Sequence, residues 1–290
     1  MVDLLVIGGL GVDLRVRVPA IPLPAADSLT VPGIEARIGN TGAGVALAGH
    51  ALGLRVGLVD VLGADPAGGV VRAALGRTSV SALLAEGPAR TRQSVNLVDP
   101  AGRRMSLYDP SPWSGPPPFT DDELAGLVGA AAHVHVSIMD WARDALPVLR
   151  KARPDGVLLS TDLHDWDGEN PYHRPFADAA ELVFVSGVRL GDRAPAVAAG
   201  LAPRTVVVTR GADGADLYRG DGTVTHVPAD VPPAGVVDTN GAGDAFAAGL
   251  IAGRLRRAGL PEAAAYAARV AAAACTHDGM EYPAGLLPRA

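Results

Sequence analysis

The 290-residue chain contains a single lysine, Lys151, set in Arg150-Lys151-Ala152-Arg153 and far from any glycine-rich loop. That scarcity excludes a Walker-type phosphate loop, which needs Gly-Lys-Ser/Thr, and it excludes a protein-kinase strand lysine on the phosphates. Any phosphate handling must rest on backbone N–H groups and arginines. Cysteine is equally scarce: Cys275 alone forbids an intramolecular disulfide, and its alanine-rich setting suits a small packed thiol. No Lys/Arg-rich run is present and the formal charge is −6, so the electrostatic footprint of a nucleic-acid binder is missing. No apolar run approaches the roughly 18 residues of a membrane span. Asp3 stands in MVDLLVIGG where a signal peptide carries basic residues, which predicts a cytoplasmic protein. Three Trp, five Tyr and four Phe leave few rings on which to stack a base.

What the chain does have is apolar: 48% hydrophobic against 19% charged residues, the balance of a well-buried globular protein. One α/β domain over residues 1–290 is the expectation for this length. Short β-rich apolar runs at 3–7, 55–59, 133–137, 157–161, 182–185 and 205–209 read as strands. Segments 44–52, 66–75, 121–131, 142–151, 245–257 and 261–275 have helical apolar spacing. The alternation predicts a three-layer α/β/α arrangement around a mostly parallel sheet. Two stretches, about 12–38 and 92–108, break it with apolar/polar alternation, as in Ser94-Val95-Asn96-Leu97-Val98, and the turn Asp99-Pro100-Ala101-Gly102. These predict a small accessory antiparallel sheet. Residues 111–119, with four prolines, predict a stiff surface connection.

The most informative segment is Asp238-Thr239-Asn240-Gly241-Ala242-Gly243-Asp244-Ala245-Phe246. Two glycines around an alanine let successive N–H groups converge, and a helix starting there adds the positive end of its dipole, so an anion is expected. Asp244, one residue beyond, is placed to accept a proton from an attacking hydroxyl while the turn amides stabilise charge on phosphorus. A lone GAGD also suits an ordinary turn and helix cap. The full string near the end of an α/β-patterned chain resembles the signature of the ribokinase-like (PfkB) family of carbohydrate and nucleoside kinases. The resemblance implies Asp244 as catalytic base, Gly241, Ala242 and Gly243 as anion hole, and a monovalent cation, potassium, by Asp238 and Asn240. It implies ATP and Mg²⁺ as well, and a β-sheet lid over the sugar that often forms a homodimer.

Four further stretches bear on this. Gly8-Gly9-Leu10-Gly11-Val12-Asp13 lacks the third glycine of a dinucleotide fingerprint, having Leu14 there; the resemblance instead gives Asp13 to sugar hydroxyls, which a carboxylate can accept two at a time. Gly39-Asn40-Thr41-Gly42-Ala43-Gly44 resembles the family's first glycine motif, assigning Gly39, Asn40, Gly42 and Gly44 to the acceptor, but Gly44 stands where the family usually has asparagine. Thr209, Arg210, Gly211 and Gly214 resemble TxGxxG, which lines the nucleotide, and His277 follows the last helical segment where the family also approaches the nucleotide. Ser186 and Arg189 stand where the family shows the magnesium-organising NxxE, a departure that implies altered metal handling or reduced activity. Residues 161–167 gather three aspartates and His164, either a metal site or a solvated, substrate-facing edge. His133 and His135 share one face of a strand and read as core or rim residues. The expectation is an ATP-dependent kinase of a hydroxymethyl group on a small sugar, ribose or fructose; a nucleoside kinase, for which Asn240 is suggestive, and a sugar-binding regulator are its rivals.

Overall fold

Apolar runs fully buried on both sides define the strands, and helices flank them. The computed structural model describes residues 1–87, 90–100, 103–109 and 117–289. The first half holds β1 (Leu4–Ile7), β2 (Gly11–Arg17), β3 (Ile34–Gly39), α1 (Thr41–Ala51), β4 (Val56–Gly63), α2 (Pro66–Leu75) and β5 (Ser81–Gly87). Then come β6 (Gln93–Val98), β7 (Arg104–Asp109), α3 (Asp121–Gly129), β8 (His133–Ser137), α4 (Asp140–Ala152), β9 (Leu158–Asp162) and α5 (Arg174–Ala179). The last third holds β10 (Leu182–Ser186), α6 (Ala194–Ala199), β11 (Thr205–Thr209), β12 (Ala215–Tyr218), β13 (Val224–Val227), α7 (Ala242–Leu255) and α8 (Leu260–Ala274).

Nine strands form one sheet in the order β13-β12-β11-β10-β9-β8-β1-β4-β5, parallel from β11 to β5, with β12 and β13 added antiparallel. Side chains alternate across it. Leu4 and Val6 join one core with α1, α2, α7 and α8, whereas Leu5 and Ile7 join the other with α3, α4, α5 and α6. Each large aliphatic side chain sunk in these two layers contributes about 1.5–3 kcal/mol, so the sheet is the rigid frame of the molecule.

The small sheet has the order β3-β2-β6-β7. Its outer pairs are antiparallel, as expected, but β2 and β6 run parallel. Both enter it after leaving the C-terminal edge of the main sheet, from β1 and β5, so they point the same way. The proline-interrupted stretch between β2 and β3 forms no strand. Ala101 and Gly102 of the expected turn, and residues 111–116 of the proline-rich connection, lie outside the described residues.

Helix starts follow local chemistry. Asp65 caps α2 by accepting the Gly68 N–H at 2.8 Å, and Thr120 with Glu123 forms a capping box on α3. The elements invisible to periodicity are β5, an exposed edge strand, the four-residue β12 and β13, and the six-residue α5 and α6, all too short or too exposed to carry a pattern. No helix among the described residues is long and apolar enough to cross a membrane. The C-terminal ends of the parallel strands and the roots of the small sheet converge on one edge, the usual place for a ligand in such sheets.

Candidate active site

Segment 238–244 turns sharply into α7. Gly241 adopts φ 77°, a left-handed conformation, and its carbonyl accepts the Ala245 N–H at 2.8 Å, which starts the helix. A side chain there would also strike Met280, at 2.7 Å. Two residues further, Gly243 is exposed, and an added Cβ would meet none of the described residues within 4 Å. The first N–H groups of α7 carry the positive end of the helix dipole, which suits an anion.

Asp244, in the first turn of α7, is only 8% exposed. Its carboxylate leans onto α1, where a Cβ on Gly44 would lie 2.1 Å from Oδ2. The carboxylate itself fills the space that an asparagine at Gly44 would need. Burial pushes the Asp244 carboxyl well above the usual carboxylate range; the charge of Asp162 adds to this, Arg104 opposes it, and Asp13 adds again. Such a group takes up a proton more readily than an ordinary carboxylate.

The loop after β1 is held by a buried ion pair. Asp60, fully buried on β4, accepts the Leu10 and Val61 N–H groups at 2.7 Å and the Trp141 indole at 3.0 Å, and it pairs with Arg92. Arg92 donates back to the Leu10 carbonyl at 2.9 Å. This fixes the path into β2 and hence Asp13, which is 4% exposed. Asp13 Oδ1 accepts from Ser94 of β6 at 2.5 Å, and Oδ2 accepts from the Asn240 amide at 3.1 Å. Gly39 ends β3 directly over the Asp13 carboxylate, and Gly42 lies buried in α1. Asn40 precedes α1 with φ 71°, and among the described residues neither its buried Nδ2 nor the buried Ser137 hydroxyl at the end of β8 has a partner. Unpaired buried donors at a sheet edge are a cost that a hydroxyl-rich ligand would relieve.

Asn240 links the two halves. Besides Asp13 it accepts from Arg104 of β7 at 2.6 Å, so a strand of the small sheet reaches the turn before α7. Asp238, 6% exposed, accepts the Asn240 N–H at 3.0 Å and the Gly279 N–H at 3.2 Å, and it pairs with Arg15 of β2 at 2.9 Å. A guanidinium therefore stands where the sequence suggested a monovalent cation. Cys275, half-buried, caps α8, and its carbonyl takes the Val237 and Asp238 N–H groups. The His277 ring lies 6.0 Å from that of Tyr282, whose buried hydroxyl, beside Gly241, has no partner among the described residues. His277 also lines a cleft of about 410 Å³ with Arg37, Ile38, Asp278 and Met280.

The stretch after β11 forms a tight loop in which the Arg210 N–H donates to the Gly214 carbonyl at 2.8 Å; Thr209 ends the strand, and Gly211 is exposed. The Arg210 side chain is committed to Asp216 at 2.5 Å, so its charge is partly spent. Ser186 ends β10, whereas Arg189 is 55% exposed and faces Asp165 and Asp167 at 3.9 and 3.7 Å. Asp162 and Asp167 cap local turns, accepting from His164 and from Glu169 and Asn170. Among the described residues no group of three or more His, Cys, Asp or Glu is arranged for a metal. His133 and His135 share the Ser160 hydroxyl at 2.8 and 2.9 Å, and burial lowers both to about 3, so they are neutral core residues.

Sequence reasoning did not single out Arg15, Ser94, Arg104 or Tyr282. Alternation marked the first three as strand residues; their pairing with residues many positions away is set by how the small sheet folds over the main one.

A protein-family model described as "pfkB family carbohydrate kinase" matches residues 1–284. An acarbose 7(IV)-phosphotransferase of Actinoplanes sp. is 42% identical over 278 residues, covering 94% of this chain and 92% of its own. An ATP-dependent ribose-1-phosphate kinase of Halopiger xanaduensis is 30% identical over 288 residues, covering 96% and 94%. Among solved structures, a microbiome-derived acarbose kinase superposes with TM-score 0.86 at 40% identity over 97% of this chain and 95% of its own. Arabidopsis thaliana ribokinase, at 21% identity, shares the fold with TM-score 0.80 over 99% and 96%. The nine-stranded sheet with its separate four-stranded one is the ribokinase-like α/β fold, and the chain belongs to the pfkB family of carbohydrate kinases.

Proposed function

We propose that this chain is one kinase domain over residues 1–290, its lid formed by segments near 12–38 and 92–108, that moves the γ-phosphoryl group of ATP to a hydroxymethyl group of a sugar. The observation that carries this reading is the placement of the Asp244 carboxyl, buried and raised, in the first turn of α7 against Gly44 of α1 and next to exposed Gly243. The acceptor lies between Asp13, Asn40 and the glycines Gly39, Gly42 and Gly44. Its hydroxyl oxygen attacks phosphorus, its proton passes to the Asp244 carboxylate, and ADP leaves with the bridging oxygen. Amides of Gly241, Ala242 and Gly243 hold the transferring group, while Thr209, Arg210, Gly211, Gly214, Asn240 and His277 line the nucleotide side. Positioning and electrostatics do most of the work in such a transfer.

Mg²⁺ is the remaining requirement. With Ser186 and Arg189 in place of NxxE, it would be held chiefly by the nucleotide's own phosphates and waters, where it supplies charge neutralisation. Potassium at Asp238 and Asn240 does not fit, because Arg15 already occupies the carboxylate. One face of the small sheet exposes Ile34, Met105 and Leu107, which favours a homodimer through the lid. We assign the enzyme to the cytoplasm.

The relatives extend the acceptor class. Both the 42% and the 40% identical proteins bear names that refer to acarbose, so a sugar unit within a larger glycoside is the acceptor to try beside free ribose and fructose. Coupled ADP detection with acarbose, ribose, ribose 1-phosphate, fructose and adenosine, followed by mass spectrometry, tests the reading. One added phosphoryl unit on a sugar is expected. Phosphorylation of adenosine alone would favour the nucleoside kinase, and acceptors that raise thermal stability without ADP formation would mark a sugar-binding regulator.

A further inference from the structure

Two acids beside the start of α7 are neutralised by the lid. Asp238 Oδ2 receives the Gly279 N–H at 3.2 Å and Arg15 Nη2 at 2.9 Å, while Oδ1 receives the Asn240 N–H at 3.0 Å. The Arg15 side chain is 10% exposed and that of Asp238 is 3% exposed, so the pair is shielded from bulk screening. The other arm of the guanidinium, Nη1, meets Asp278 Oδ1 at 2.5 Å. Arg37, from the neighbouring strand β3, donates to the Asp278 carbonyl at 2.7 Å and meets its Oδ2 at 3.0 Å. Burial works against the Asp278 charge, but Arg15, then Arg37 and Arg17, hold its carboxyl below the usual range.

A small cation needs several oxygen ligands free of other positive charge. Here both Asp238 oxygens are engaged, and one of them already carries a guanidinium. We propose that Arg15 is the resident cation of the anion-hole loop. It holds Asp238 and Asp278 in place of a monovalent metal ion, so that phosphoryl transfer in this chain is independent of potassium. Arg15 is a positioning residue, acting through Asp238 on the turn that carries Gly241. Because its charge is carried on lid strand β2, lid position and anion-hole geometry are mechanically joined, which a diffusible ion does not achieve. An arginine also keeps its charge at every working pH. The inference rests on the kinase reading.

The test compares initial rates of the wild type with MgATP and its best acceptor in KCl, NaCl and tetramethylammonium chloride at equal ionic strength. Calorimetric MgADP affinity in the same salts gives a readout free of turnover. Both are expected to be the same in all three salts. Arg15→Gln should lose about tenfold in kcat/KM in tetramethylammonium chloride and recover part of the loss in KCl, as potassium enters the vacated place; Arg15→Lys should fall between. A severalfold rise of wild-type rate or MgADP affinity in KCl overturns the proposal. So does Arg15→Gln with wild-type kcat/KM, or with a loss that potassium does not relieve. Should Arg15→Gln fail to fold, the wild-type salt comparison decides alone. Absence of turnover with every acceptor in every salt instead sinks the kinase reading, and the MgADP affinities still test the cation.

Discussion

Gly44→Ala places one methyl group against the carboxylate of Asp244, the proposed base. A Cβ on Gly44 would lie 2.1 Å from Asp244 Oδ2, 2.5 Å from its Cγ and 2.6 Å from its Cβ. Relaxing the closest contact to an ordinary van der Waals separation moves the carboxylate or α1 by roughly 1 Å or more. Displacement of that size at a reacting group costs about 10²-fold in rate, or about 2.7 kcal/mol of transition-state stabilisation. Stability responds differently. Alanine in a helix is favoured over glycine by about 1 kcal/mol, and overpacking costs about 1–3 kcal/mol, so a net cost of about 0–2 kcal/mol remains. The expected outcome is a folded protein with kcat/KM down about 10²-fold and a melting temperature within a few degrees of wild type. Gly126→Ala, on α3 with none of the described residues within 4 Å of the new Cβ, is the control and should retain full activity. ADP-coupled kinetics and thermal unfolding on the two variants decide it. A Gly44→Ala enzyme with wild-type kcat/KM would show that the contact between α1 and Asp244 does not set the position of the base.

The remaining expectations concern charge. Because burial raises the Asp244 carboxyl, the folded state prefers it neutral. That stabilising proton is fully held below the ordinary carboxylate value and lost as pH rises through the raised folded value. Asp244→Asn should therefore raise stability near neutral pH by about 1–2 kcal/mol, roughly 2–8 °C in melting temperature, and flatten the decline of stability with rising pH. Catalysis runs the opposite way: only the ionised base accepts a proton, so kcat/KM of the wild type should climb with pH through the same window, with its acid limb above the ordinary aspartate range. Arg92→Met strands the fully buried Asp60 and should cost about 3–5 kcal/mol in urea unfolding.

Much of this architecture was legible before any coordinates. The alternation of buried runs with helical spacing located β8, β11 and α2 with their observed bounds, because two-sided burial leaves continuous apolar strands. The DTNGAGDAF string gave the start of α7, since a left-handed turn at Gly241 demands glycine. What stayed hidden depends on tertiary placement. Nothing in Arg15-Val16-Arg17 indicates that one arginine turns inward to Asp238 while Arg17 stays exposed at 58%; that choice is made by the pairing of β2 with β3 and the path of the loop after α8. Likewise the parallel pairing of β2 with β6 follows from where the strands leave the main sheet, not from their own alternation. Gly44, which stands where the family usually has asparagine, is in the structure the space into which Asp244 leans.

The role of Asp244 as proton acceptor is tested most directly by following ATP and a phosphorylatable sugar by phosphorus NMR with wild type and Asp244→Asn at matched ATP saturation. Wild type should convert them to equal amounts of ADP and sugar phosphate, and Asp244→Asn, binding ATP as tightly, should be slower by about 10²–10⁴-fold. A variant that turns over at the wild-type rate would contradict the account.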